Sequence, residues 1–122
     1  VFERRFVCVD PRPLDLAIMR QASQYLLGEH DFSAFCANKK MKKSTVRRID
    51  QVEIRRIGEE VQFTFTGNGF LYNMVRIMVG TLLEVGRGER TADSINHLFG
   101  TKREEAGALV PACGLCLMEV EY

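Results

Sequence analysis

One arginine stands in the middle of an apolar run. In GNGFLYNMVRIMVGTLLEVG, Gly67 to Gly86, Arg76 is flanked by Met74, Val75, Ile77, Met78 and Val79. A guanidinium keeps its charge and carries five donors. Buried without a counter-charge, it costs roughly 3–5 kcal/mol. Its helical neighbours would be Tyr72, Asn73, Val79 and Gly80, none of them acidic. Glu84 is two turns further on, ~12 Å along a helix axis, and is a poor local partner. The balancing carboxylate or phosphate must therefore come from another segment, another chain or a ligand. Three readings stay open: an ion pair to a neighbouring strand, an alkyl stem that reaches water, or a site arginine holding a catalytic acid or an RNA phosphate.

The second group with chemistry in it is basic. Lys39, Lys40, Lys42, Lys43, Arg47 and Arg48 form the only such cluster. It reads either as a solvated loop or as a phosphate-contacting arm, since counterion release drives affinity for nucleic acid. Cys113 and Cys116 form C-x-x-C, but Cys8 and Cys36 are isolated, so no zinc set is complete and no metal is expected. A redox C-x-x-C normally opens a helix, whereas this one opens a strand. Gly67-Asn68-Gly69 echoes a phosphate-binding turn, yet a dinucleotide fingerprint would need glycine where Tyr72 stands. The plainer reading is a tight turn with Gly69 at positive φ. His30 reads as a structural hydrogen-bonder and His97 as a surface residue.

Elements must position these groups. Phe2 to Val9 reads as a short strand or the end of a linker. PLDLAIMRQASQYLLG reads as a helix with Pro13 in its first turn and Gly28 as its cap. EHDFSAF suits the start of a short second helix capped by Asp31. NKKMKKSTVRR has no apolar period and reads as a loop. IDQVEIRRIGEEVQFTFTG alternates like a β-hairpin, with GEE at its turn. The Arg76 helix follows, with Asn73, Arg76, Gly80 and Glu84 along one polar seam. TADSINHLFG reads as a helix with Thr91 as N-cap and Gly100 past its end. PACGLCLMEVEY closes as a strand. The mixture predicts one α+β domain over residues 1–122, an antiparallel sheet backed by helices.

Totals narrow the class. The chain has 122 residues, 46% hydrophobic, enough for one packed domain. Lys plus Arg is 17 against 16 for Asp plus Glu, so net charge selects no partner. No apolar signal core opens the chain and no run approaches the ~20 residues of a membrane span, which makes a reducing cytoplasm the default compartment. The absence of an initiating Met suggests a piece of something longer.

Three stretches together resemble the C-terminal half of the tRNA pseudouridine synthase A family. They are LLGEHDFSAFC against L-x-G-x-H-D-F-x-x-F, VQFTFTGNGFLYNMVR against the family's strand, turn and helix, and KREEAGALVPACGLCLMEVEY against its ending. The resemblance implies isomerisation of uridine to pseudouridine in the anticodon stem-loop of tRNA, without metal or organic cofactor. A catalytic aspartate starts glycosidic cleavage, and the target base must leave its stack. The arginine of M-V-R, here Arg76, would pair with that aspartate. At ~4 Å and an effective dielectric near 20, the pair would gain about 4 kcal/mol. Leu115, of G-L-x-L, would pack near the target base, with Tyr72 and Asn68 as further substrate contacts. The aspartate belongs to an R-T-D motif in the family's N-terminal half, and this chain has none. Asp31, in H-D-F, reads as structural. Asn73 stands where the family often has His.

The implied partners are tRNA, the chain's own N-terminal catalytic half and a second copy, since the family tends to dimerise. The expectation is that this chain alone does not turn over. The alternative is a non-catalytic RNA-binding or structural module with the same fold. An upstream R-T-D supports the enzyme and its absence the module. A third reading, a protein–protein interaction domain, would follow if even the full-length protein bound no tRNA.

Overall fold

The computed structural model describes residues 2–10, 13–36, 44–71, 73–100, 103, 106 and 118–121, the last stretch by its backbone. Its centre is a five-stranded antiparallel sheet of order β2-β3-β4-β1-β5. The strands are β1 (Phe2–Val9), β2 (Gly28–Asp31), β3 (Val46–Ile57), β4 (Glu60–Gly67) and β5 (Met118–Glu121). Helices α1 (Leu16–Gln24) and α2 (Met74–Gly86) supply the cover. The expected α+β class and single hairpin are what the chain forms.

Alternation decides the buried face. Phe6 and Cys8 on β1, Ile54 on β3, and Val61, Phe63 and Phe65 on β4 are buried, while Gln62, Thr64 and Thr66 turn the other way. β3 carries one irregularity. Ile49 pairs with Gly67 but Gln51 with Thr66, so Asp50 is a surplus residue, a β-bulge. It lets Ile49 and Val52 lie on the covered side together.

The apolar run of α2 is buried at nearly every position. Met74, Ile77, Met78 and Leu82 are fully enclosed, and Arg76 and Glu84 alone remain half-exposed. Gly86 is a packing point. A Cβ there would run into the Met19 sulfur of α1, and the Gly86 carbonyl accepts from the Asp15 N–H at 3.0 Å. Asp15 also caps α1, accepting from Ile18 N at 3.1 Å.

Several expectations are corrected. The first helix stops at Gln24, and Gly28, at φ +98°, opens edge strand β2 instead of capping it. EHDFSAF yields that strand and a single 3-10 turn, Ser33–Phe35. Its N-cap position is Phe32, not Asp31; Asp31, one residue earlier, accepts from Ser33 N at 3.1 Å and from the Thr45 hydroxyl at 2.5 Å. TADSINHLFG is a 3-10 segment, Ala92–His97, with Thr91 as its N-cap residue but without a side-chain bond. The loop assigned to NKKMKKSTVRR ends early, because β3 already begins at Val46. The N-terminal stretch is a full strand. Among the described residues no helix is long and apolar enough to cross a membrane.

Candidate nucleic-acid cleft

The site grows from the junction between β4 and α2. Gly67 ends β4 against β3 so closely that a Cβ would sit on the Arg48 carbonyl oxygen. The next residue locks that junction. Asn68 N–H donates to the Arg48 carbonyl (3.0 Å), and Asn68 Oδ1 accepts from the Arg48 N–H (2.8 Å). The side-chain oxygen of Asn68 is therefore spent on holding the two strands. Leu71 is buried, and its carbonyl accepts from Met74 N at 3.0 Å. The left-handed residue of this turn is Asn73, at φ +57°, not Gly69 as expected. Asparagine tolerates that conformation better than most side chains. The chain then enters α2 with Ile77 N–H on the Asn73 carbonyl at 3.0 Å.

Arg76 leaves the first turn of α2 toward β1 and stays half-exposed. Its guanidinium carbon lies 5.8 Å from the centroid of the Phe6 ring. With Arg4, Phe70, Asn73 and Val75 it walls an inner cavity of about 280 Å³. Glu84 is not its partner, since that carboxylate accepts from Arg90 Nε at 3.2 Å. The β5 backbone runs alongside, with Phe6 in register with Glu119 and Arg4 with Glu121.

A second, more open cavity of about 490 Å³ adjoins the first. Arg4 and Phe70 belong to both, with the Arg4 guanidinium carbon 5.5 Å from the Phe70 centroid. Phe2, Val46, Arg47, Asn68 and Gly69 complete the outer wall. Among the described residues, neither cavity has an acidic wall residue.

The basic cluster is thereby divided. Arg47 joins the outer cavity and donates through Nη1 to the carbonyls of Ser44 and Val46, both at 2.7 Å. Arg48, next on the strand, faces the other way and donates to Asp50 at 2.8 Å. That carboxylate raises the Arg48 pKa, first through the hydrogen bond and then through its charge. Lys39, Lys40, Lys42 and Lys43 lie outside the described residues, as do Tyr72, Leu115, Cys113 and Cys116.

The H-D-F stretch backs the outer wall, with His30 in register with Arg47 and Asp31 with Val46. His30 Nε2 meets the Leu27 carbonyl at 2.8 Å, and its ring stacks on Phe99 at 4.0 Å. His97 is exposed beside Asp93, at 3.4 Å. Cys8 and Cys36 are buried.

Sequence reading missed Arg4 and Phe70. Arg4 had a detectable signal: it shares strand parity with Phe6 and Cys8, so it is a charge placed where an apolar residue belongs.

The chain matches the tRNA pseudouridine synthase family over residues 22–122. It is 47% identical over 123 aligned positions to tRNA pseudouridine synthase A 1 of Bacillus cereus, covering 100% of this chain and 50% of that protein. It is 46% identical to tRNA pseudouridine synthase A of Brevibacillus brevis, again over 100% and 50%. For tRNA pseudouridine synthase A of Shouchella clausii the identity is 46% and the coverage 100% and 47%. The chain thus spans about half the length of the curated relatives it matches.

Proposed function

This chain belongs to the tRNA pseudouridine synthase family, and on that premise we propose that it builds one wall of a uridine-isomerising cleft for tRNA. The wall is the pair of cavities at the β4–α2 junction. The family's chemistry needs an ionised aspartate at the glycosidic bond, and this chain has no R-T-D sequence to supply it. The acid then comes from an N-terminal half of the longer protein, in keeping with relatives twice this length. Arg76 serves as its counter-charge.

The observation that carries this is the course of Arg76. It projects from a helix whose other residues, Glu84 apart, are buried, across Phe6 and into the inner cavity. A carboxylate entering there would meet a guanidinium already ordered by an aromatic face, in a partly dehydrated setting where Coulomb attraction is stronger than in water. The pairing keeps the acid ionised and fixes its direction. Arg4 and Arg47 add cationic character for the RNA backbone. Lys39, Lys40, Lys42 and Lys43 extend that footprint, and Leu115 and Tyr72 contact the flipped base. The target lies in the anticodon stem-loop, and the compartment is the cytoplasm.

The test is Arg76→Ala and Arg76→Lys in the full-length protein, with conversion measured separately from tRNA affinity. Conversion should fall about 100- to 1,000-fold for alanine, with affinity changed far less. Normal conversion would remove Arg76 from the active site. The 122-residue chain by itself should bind RNA weakly and convert none, and turnover by it would overturn the need for an outside acid. Should the full gene lack R-T-D, the reading becomes a non-catalytic RNA-binding module.

A further inference from the structure

Four large apolar side chains are exposed among the described residues, and two of them, Phe2 (46%) and Val46 (40%), line the outer cavity. Phe70, Arg4 and Arg47 line it with them. Exposed apolar side chains cluster where something covers them. Interleaved with guanidiniums, they form the composition that holds an unpaired nucleotide: an aromatic face for the base and cations for the phosphate. The two guanidiniums in its wall, Arg4 and Arg47, give the cavity the charge that complements an anionic occupant.

We propose that the outer cavity is a second nucleotide subsite. It takes one unpaired nucleotide of the RNA, adjacent in the strand to the one that enters the Arg76 cavity. Its base stacks on the Phe70 ring and rests on Phe2 and Val46, and its phosphate lies by Arg47. The Arg4–Phe70 pair is the partition between neighbouring bases. The Arg4 guanidinium carbon lies over the Phe70 ring, 5.5 Å from its centroid, and helps hold the ring where it borders both cavities. Sequence enters only weakly, because stacking tolerates every base. The subsite therefore sets which unpaired geometry is accepted more than which letter. This inference rests on the tRNA reading above and adds a recognition position to it.

The experiment is a double-mutant cycle in the full-length protein. Phe70→Leu keeps the apolar bulk and removes the stacking face, Phe70→Tyr keeps the face, and Ile57→Ala removes an exposed apolar residue at the far end of β3. Each is assayed on a tRNA transcript and on transcripts made abasic at one neighbour of the target. On intact tRNA, Phe70→Leu should raise KM about 5- to 150-fold, as the loss of one stacked base predicts, more than it lowers kcat. Phe70→Tyr and Ile57→Ala should stay near wild type. On one of the abasic RNAs the Phe70→Leu penalty should vanish. An equal penalty on every RNA would mean a packing role and overturn the subsite. So would a change of oligomeric state on Phe2→Ala and Val46→Ser with tRNA affinity retained, which would assign the patch to protein. A wild-type protein that converts tRNA indifferently to Phe70 overturns the subsite alone. One that binds no tRNA overturns it together with the function it rests on.

Discussion

The two faces of the sheet use the same residue type in opposite ways. On the face away from the helices, arginines are matched at once by acids: Arg5 lies 4.0 Å from Glu3, Arg48 2.8 Å from Asp50, and Arg55 shares a shallow depression with Glu53. These pairs are solvated and screened, each contributing about 0–1 kcal/mol. In the cleft, Arg4 and Arg76 lie over the rings of Phe70 and Phe6, and Arg47 donates to two backbone carbonyls. The nearly balanced totals of the chain thus hide a local separation of charge.

The sharpest way to break this comparison is reciprocal charge reversal. Arg4→Glu with Arg47→Glu should weaken tRNA binding by about 100-fold, since truncating charge pairs of this kind costs 2–5 kcal/mol. Arg5→Glu with Arg55→Glu should change it less than about twofold. Equal losses in a binding titration would mean that no face is privileged.

The two ends of the β3–β4 hairpin give the next contrast. Gly67→Ala drives a methyl into the Arg48 carbonyl and should cost about 1–3 kcal/mol, read from a thermal or urea midpoint. Gly58→Ala meets open space and pays only for its φ of +62°, about 1 kcal/mol. A larger loss at Gly58 would deny the cleft junction its tight fit.

Salt dependence sharpens the footprint. Neutralising Lys39, Lys40, Lys42 and Lys43 should shallow the slope of log affinity against log salt by about 0.7 for each phosphate they would otherwise neutralise. An unchanged slope would remove those lysines from it. The smallest effect belongs to Arg48→Ala, which should move stability by less than about 1 kcal/mol and tRNA affinity hardly at all.

How far the sequence carried is clearest at single residues. The hairpin and α2 were legible because their patterns, period two and a continuous apolar run, arise from burial itself. Arg76 stood out because a charge breaks such a run. β2 was not legible, since GEHD has no alternation and is a strand only through its pairing with β3. Arg47 and Arg48 read as one cluster, because adjacency in sequence conceals that a strand sends neighbours to opposite faces. Asn73 outcompeted glycine for the left-handed position, a choice fixed by how the turn must enter α2. Arg4 became a cleft residue only when β1 was known to run beside β4, a pairing far apart in the chain.

The surplus residue at Asp50 has a consequence for recognition. Arg47 and Val52 are separated by an odd offset, and on an uninterrupted strand they would point to opposite sides. The extra residue makes that offset count as even, so one strand both fills the core and turns a cation into the cleft. Which of two adjacent guanidiniums faces the cleft is thus set by counting along a backbone, not by the chemistry of either side chain.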